Sequence, residues 1–111
     1  MSILWSSSSL KKLVNANSSK EWEASGVEID SRKVKKGDLF CAINGKNYNG
    51  HDFINSASER GATACLISDN LINTKKVTLA KVNNVLDTLG RMAKNARMRS
   101  KAKFIAVTGS V

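Results

Sequence analysis

The sequence has no proline, one histidine, two cysteines and six aromatic side chains among its 111 residues. It has no apolar run of about 18 residues, which excludes a transmembrane helix from the sequence given. No basic segment precedes the short apolar patch at the N-terminus, so we expect no secretory signal there. Cys41 and Cys65 lie in apolar runs and cannot form a disulfide framework, so a reducing cytosol is the expected compartment.

The scarcity of histidine and aromatic residues also argues against two kinds of site. His51 has no cysteine or carboxylate partner at ligand spacing, so no metal site is predicted. The aromatic residues do not alternate with basic ones, as they would on a surface that stacks single-stranded bases. Acidic residues are few as well: 18 basic against 9 acidic side chains give a formal charge of +9. That charge favours a polyanion, namely nucleic acid, an acidic membrane or a phosphorylated small molecule, or else a solvated basic surface.

The apolar pattern predicts one compact α/β domain, with a small mixed β-sheet flanked by helices. Ser6 to Ser9 would cap a short helix that carries Leu10, Leu13 and Val14, and Asp52 would cap a second helix that stops at Gly61. Strands are predicted over residues 26–30, 39–43, 62–67, 77–82 and 103–108, with loops at 44–50 and 68–76. Asn83 or Asn84 would open the longest helix, whose apolar residues recur with helical spacing from Val85 to Ala96.

Three segments offer groups that suit a phosphorylated ligand. The last predicted strand runs into Thr108, Gly109 and Ser110, which resembles the start of a phosphate-binding loop, although the pattern alone favours a strand that ends in a turn. Ser31 and Arg32 follow the strand that begins at Gly26, and they supply a hydroxyl and a guanidinium group. The third segment, residues 44–53, contributes Asn44, Gly45, Lys46, His51, Asp52 and Phe53. Each segment alone also fits an ordinary turn or loop.

Taken together, these segments are specific. Residues 30–62 read DSRKV-x-x-GDLF-x-AI-x-G-x-x-x-x-GHDFI-x-x-A-x-x-x-GA, and residues 106–111 read AVTGSV. The two motifs, in this order and at this separation, resemble the N-terminal part of the Mur ligases, the ATP-dependent enzymes that extend the UDP-N-acetylmuramoyl peptide precursor of peptidoglycan. The ending of the sequence resembles the members that add D-alanyl-D-alanine, and the members that add the third residue of the peptide are the alternative.

The resemblance implies a role for each segment. Residues 1–100 would bind the UDP end of the substrate, through Ser31, Arg32 and the 44–53 loop. Residues 101–111 would begin the central domain, with Thr108, Gly109 and Ser110 in the ATP loop. The parent enzyme would use ATP and Mg²⁺ to make an acyl phosphate and then an amide, and would have central and C-terminal domains as partners of this one.

The sequence departs from the family's full pattern, because it lacks the lysine of the ATP loop, the Mg²⁺ ligands and the acceptor domain. Phosphoryl transfer depends on those groups, so we expect these 111 residues alone to be inactive and to need no cofactor. A small nucleic-acid-binding module is the competing hypothesis, because basic residues cluster along and after the longest predicted helix, at Arg91, Lys94, Arg97, Arg99, Lys101 and Lys103. A structural or interaction domain without a ligand is the third. We expect no specific nucleic acid and no membrane as partners.

Overall fold

The computed structural model describes residues 4–43, 50–68, 74 and 76–107. Within these ranges the strands are β1 (Trp5–Ser6), β2 (Asn17–Ser18), β3 (Glu23–Ala24), β4 (Gly26–Glu28), β5 (Asp38–Cys41), β6 (Ala64–Ile67) and β7 (Thr78–Lys81). The α-helices are α1 (Ser7–Val14), α2 (Ile54–Glu59) and α3 (Val85–Val107). Short 3-10 helices cover Ser31–Lys33 and Gly50–Phe53.

The main sheet has the strand order β2-β7-β6-β5-β4. Strands β4 to β7 are parallel to their neighbours, whereas β2 runs antiparallel to β7. Strands β1 and β3 form a separate antiparallel pair. This arrangement confirms the predicted α/β class, a small mixed sheet flanked by helices.

The sheet separates two apolar cores, because successive side chains of a strand point to opposite faces. We call the side that carries Leu39, Cys41 and Leu66 the first face, and it packs against α1, α3, Trp5 and Trp22. The second face carries Phe40, Cys65, Ile67 and Leu79, and it packs against α2, Val34 and Val77. The two free cysteines are therefore buried on opposite faces of the sheet.

Local sequence explains where α1 and α3 begin. The Ser6 hydroxyl accepts the backbone N–H of Ser9 at 3.1 Å, and the Ser9 hydroxyl accepts the N–H of Ser6 at 2.8 Å, which forms a capping box. The Asn84 side chain accepts the backbone N–H of Asp87 at 2.8 Å and so begins α3. Both helix starts confirm the sequence-based predictions.

The prediction of a last strand at Lys103–Thr108 was wrong for the residues described. Helix α3 continues to Val107, across the domain boundary predicted after residue 100. A strand needs a neighbour to satisfy its backbone N–H and C=O groups, whereas a helix satisfies them within itself. Residues 103–107 extend a helix that has already formed, so they do not incur the free-energy cost of helix nucleation. The apolar composition of the segment alone therefore did not decide its structure. The division into two domains stays a prediction.

The prediction that Asp52 caps a helix was also wrong. Asp52 lies inside the Gly50–Phe53 3-10 helix, which leads directly into α2, and the N-cap position of α2 is Phe53, without a side-chain cap hydrogen bond. Gly61 ends this region as predicted, with a φ of +105° that only glycine adopts easily. The predicted loop at 44–50 lies almost wholly outside the described residues, and so does most of the 68–76 connection.

Candidate functional site

The carboxyl ends of the parallel strands lie along one edge of the main sheet, and this edge is where ligands bind in open α/β folds. β4 ends at Glu28 and leads into the Ser31–Lys33 3-10 helix. The next strand, β5, leads through Ala42 and Ile43 toward the Gly50–Phe53 helix. The chain segments that follow two neighbouring strands therefore meet at this edge.

The carboxylate of Asp30 organises the turn after β4. Its Oδ1 accepts the backbone N–H of Arg32 at 3.0 Å, and the same oxygen accepts Nε–H of the Arg32 side chain at 3.1 Å. The other oxygen, Oδ2, accepts an N–H of Nη2 at 3.1 Å. These bonds from Arg32 hold the pKa of Asp30 below its ordinary value, and the carboxylate in turn raises the pKa of Arg32. Asp30 is therefore ionised, and paired with Arg32, at neutral pH.

An open pocket of about 390 Å³ lies between this turn and α2. It is lined by Ser31, Arg32, Phe53, Ser56, Glu59 and Arg60. The Arg32 side chain is 83% exposed, whereas Ser31 is buried, so the pocket has a solvent-exposed cation at its rim and a buried residue at its base. Phe53 is partly exposed. Guanidinium groups, hydroxyls and an aromatic ring suit a ligand with an oxyanion at one end and a flat apolar group at the other.

The structure brings together Ser31, Arg32 and Phe53 among the residues predicted for substrate binding. Asp52 is exposed and is not among the lining residues. Asn44, Gly45 and Lys46 lie outside the described residues, as does the side chain of His51. The ATP-loop residues Thr108, Gly109 and Ser110 are also outside them.

Sequence reasoning missed the contribution of α2 to the pocket. Ser56, Glu59 and Arg60 are spaced by three and four residues, which places them on one side of a helical turn. A projection of the polar positions between Phe53 and Gly61 would have grouped these three residues. It would not have shown that their side of the helix meets the turn after β4.

The basic side chains of α3 that the structure describes, Arg91, Lys94 and Arg97, do not line this pocket. Arg91 pairs with Asp87 at 3.3 Å, and both side chains are exposed. Lys94 and Arg97 are exposed too. They lie away from Val85, Thr88 and Met92, which are buried, as expected for the solvated side of an amphipathic helix. The side chains of Arg99, Lys101 and Lys103 lie outside the described residues.

Among the described residues, no group of three or more histidine, cysteine, aspartate or glutamate side chains is placed to hold a metal ion. None of the helices in the described part of the chain is long and apolar enough to cross a membrane.

Burial raises the pKa of the Cys65 thiol to about 12 and raises that of Cys41 further. Both thiols are therefore poor nucleophiles in the folded chain.

Comparison with known proteins gives a consistent assignment. The family model described as "Mur ligase family, catalytic domain" matches residues 23–100, a range that includes the whole pocket and ends before Thr108. A UDP-N-acetylmuramoyl-tripeptide–D-alanyl-D-alanine ligase of Rickettsia prowazekii is 41% identical over 109 residues, which cover 98% of this chain and 24% of that protein. A UDP-N-acetylmuramoyl-L-alanyl-D-glutamate–2,6-diaminopimelate ligase of Fusobacterium nucleatum is 33% identical over 102 residues, with coverages of 90% and 21%.

Structural comparison agrees with the sequence comparison. A crystal structure of MurF from Acinetobacter baumannii superposes with a TM-score of 0.74 and 20% identity, and it covers 88% of this chain and 22% of that one. At that identity the likeness concerns the fold. The chain spans about a quarter or less of the length of these relatives. Because the family model matches well over half of the chain, this protein belongs to the Mur ligase family.

Proposed function

We propose that the chain recognises the UDP end of a UDP-N-acetylmuramoyl peptide, as part of a peptidoglycan-precursor ligase that adds D-alanyl-D-alanine. Membership of the Mur ligase family supports the peptidoglycan-precursor class. The 41% identical relative is by name a D-alanyl-D-alanine ligase, which supports that branch. Relatives named for 2,6-diaminopimelate addition make the third-residue ligases the alternative within the family.

The pocket between the turn after β4 and α2 is the observation that carries this proposal. A diphosphate carries charge on several oxygens and pairs well with the planar fork of a guanidinium, which Arg32 and Arg60 supply. A pyrimidine ring has a flat face that can pack against Phe53, and the Ser31 hydroxyl can bond to a ring or ribose oxygen. The pocket therefore has a group for each part of a uridine diphosphate.

We assign no ATP or Mg²⁺ chemistry to the described residues. The residues predicted to begin the ATP loop lie outside them, and the matched family segment ends before that loop. The chain covers about a quarter of its relatives, so we propose that ATP-dependent amide formation depends on domains that correspond to the rest of those proteins. The 111-residue polypeptide alone would then bind substrate without turning it over.

NMR titration of the 111-residue chain with UDP tests the proposal, with pyrophosphate at equal ionic strength as the comparison ligand. The Arg32→Ala variant should lose roughly 1.5–3 kcal/mol of UDP binding, the range for a hydrogen bond to a charged group, which is about tenfold to 150-fold in affinity. Lys33→Ala is the matched control, because Lys33 is an exposed cation on the same 3-10 helix but does not line the pocket. It should bind UDP as the unsubstituted chain does.

The titration separates recognition from general attraction to a basic protein. UDP-dependent shifts should concentrate at residues 30–33 and 53–60. Equal losses in Arg32→Ala and Lys33→Ala, with shifts spread over the basic surface, would contradict the site. Tight binding of one DNA sequence at physiological salt would favour the nucleic-acid alternative, whereas weak, salt-sensitive and sequence-independent DNA binding follows from the charge alone.

A further inference from the structure

Asp30 does not line the pocket, yet it makes the contacts that fix the Arg32 side chain. We infer that Asp30 is a positioning residue, which holds the Arg32 guanidinium so that its outer edge meets a phosphate oxygen pair and the pocket selects its ligand by geometry rather than by charge. This inference rests on the proposed function, because it assumes that Arg32 contacts the ligand.

The two contacts with Asp30 occupy one edge of the guanidinium. Nε–H donates to Oδ1 and an N–H of Nη2 donates to Oδ2, each at 3.1 Å, in the parallel two-bond arrangement of an arginine–carboxylate pair. The group is planar and rigid, so fixing this edge also fixes the direction of the adjacent one. That adjacent edge, formed by Nη1 and the remaining N–H of Nη2, has a similar spacing of donors. It is the edge that remains for a second oxyanion.

The backbone that carries Arg32 is held by the same carboxylate. Oδ1 of Asp30 accepts the Arg32 backbone N–H at 3.0 Å and caps the 3-10 helix. One turn earlier, Oε1 of Glu28 accepts the N–H groups of Ile29 and Asp30 at 3.0 and 3.1 Å. The main chain between β4 and the pocket is therefore fixed by side chains of its own segment. An exposed arginine on such a turn loses less freedom on binding than one on an unrestrained loop.

The balance of charges around the pocket also supports selection of the ligand by geometry. Asp30 offsets the charge of Arg32, and Glu59 lines the pocket together with Arg60. The chain as a whole carries +9, so a simple anion finds uncompensated cations elsewhere on the surface. Affinity for a ligand at this pocket therefore depends on how well its oxygens match the donor geometry of the guanidinium. Binding to an unpaired lysine or arginine elsewhere on the surface does not need such a match.

The test is the Asp30→Asn variant. Asparagine keeps an oxygen that can cap the 3-10 helix, but it removes the charge and replaces the second acceptor with a donor. UDP affinity should fall about threefold to tenfold, because Arg32 is no longer held. Pyrophosphate affinity should stay constant or rise about twofold, because a negative charge has been removed. A purely structural loss would lower the affinity for both ligands.

Glu28→Gln is the matched control. It removes a carboxylate two residues away in the sequence, and its amide oxygen can still accept the N–H groups of Ile29 and Asp30. This variant should leave the ratio of UDP to pyrophosphate affinity unchanged. Amide spectra of each variant verify the fold, and Asp30→Ser, which also retains a capping oxygen, replaces Asp30→Asn if that variant misfolds.

A double-mutant cycle with Arg32→Ala completes the test. Asp30→Asn should have no further effect on UDP binding once Arg32 is absent, because it acts through that side chain. A full additional loss in the Arg32→Ala background would overturn the inference, and so would an equal rise in affinity for both ligands in Asp30→Asn. If the unsubstituted chain does not distinguish UDP from pyrophosphate, or if Arg32→Ala changes nothing, the proposed function fails and this inference fails with it.

Discussion

The two faces of the main sheet differ in what covers them. The first face lies under α1 and α3 and buries both tryptophans, whereas the second lies under the six-residue helix α2. The candidate pocket borders the second face, between α2 and the turn after β4. The heavily covered face is thus separate from the face that bears the pocket. Substitutions on the first face should therefore change stability, and substitutions around the second should change the pocket as well.

The largest expected effect is on the first face. Trp22 is buried there, and its indole N–H donates to the Ser18 hydroxyl at 3.0 Å. Trp22→Ala should lower the free energy of unfolding by about 3–5 kcal/mol, the cost of a large buried aromatic side chain. Urea denaturation followed by circular dichroism measures this loss. Trp22→Phe is the milder control, since it keeps a ring but removes the indole N–H. A change below about 1 kcal/mol in Trp22→Ala would contradict the importance of this face.

The next effect concerns the connection at the end of α2. A Cβ at Gly61 would lie 2.9 Å from the Cα of Lys36, and the φ of +105° is strained for any other residue. Gly61→Ala should therefore cost about 1–3 kcal/mol of stability. Because Gly61 follows the pocket residues of α2, UDP-dependent shifts at residues 56–60 should also change.

Gly90→Ala is a control that should change stability in the opposite direction to Gly61→Ala. Gly90 lies within α3, and a Cβ there would meet nothing within 4 Å. Gly90→Ala should stabilise the chain by about 0.5–1 kcal/mol through helix propensity, with no effect on the pocket. The same denaturation experiment compares the two variants. Destabilisation of equal size in both would contradict the close approach of Gly61 to Lys36.

A smaller effect is expected where α3 begins. Asn84→Ala removes the acceptor of the Asp87 N–H and should cost about 1 kcal/mol. Asn83→Ala is the matched control, because Asn83 is an exposed asparagine one residue earlier. Its effect should lie within about 0.5 kcal/mol of zero. UDP binding should be the same in both variants. Loss of UDP binding in Asn84→Ala would contradict the claim that the first face affects stability but not the pocket.

The smallest effect concerns acid. The pKa of Asp30 is lowered, chiefly by the hydrogen bond from the Arg32 side chain, so its pairing stabilises the fold at pH values above the ordinary aspartate range. This contribution disappears as the pH falls through the lowered pKa, when the carboxylate takes up a proton. NMR titration of the Asp30 side chain should show a pKa that returns toward its ordinary value in Arg32→Ala. An unchanged pKa in that variant would contradict the pairing.

Local signals in the sequence account for most of the fold. The capping-box serines of α1, Asn84 before α3 and the apolar runs of β5 and β6 each specify their element through capping or burial. Strands β1, β2 and β3 were not predicted, because two-residue strands in polar sequence depend on partners far along the chain. The strand predicted at Lys103–Thr108 failed for a related reason. An apolar run becomes a strand only where a sheet edge can receive it.

The candidate site could be predicted only in part. Ser31 and Arg32 follow a strand, and resemblance to a family gave them a role that remains a proposal. The α2 side of the pocket required knowledge of how two segments pack, which no local pattern contains. The pairing of Asp30 with Arg32 could be predicted in part, because the two residues are close in sequence. Which edge of the guanidinium contacts the carboxylate could be known only from the structure.

The strand order has a consequence for synthesis of the chain on a ribosome. Strands β4, β5, β6 and β7 lie side by side in the order in which they are made, so each can add to the edge left by the one before. Among the strands of this sheet, β2 emerges first but pairs with β7, and the Ser19 hydroxyl accepts the Leu79 N–H across 60 residues. The N-terminal segment can therefore join the sheet only after β7 has emerged, on the side of β7 away from β6. Until β7 has emerged, apolar side chains of that segment such as Trp5 and Leu10 lack part of their core, and we expect them to stay exposed on the nascent chain.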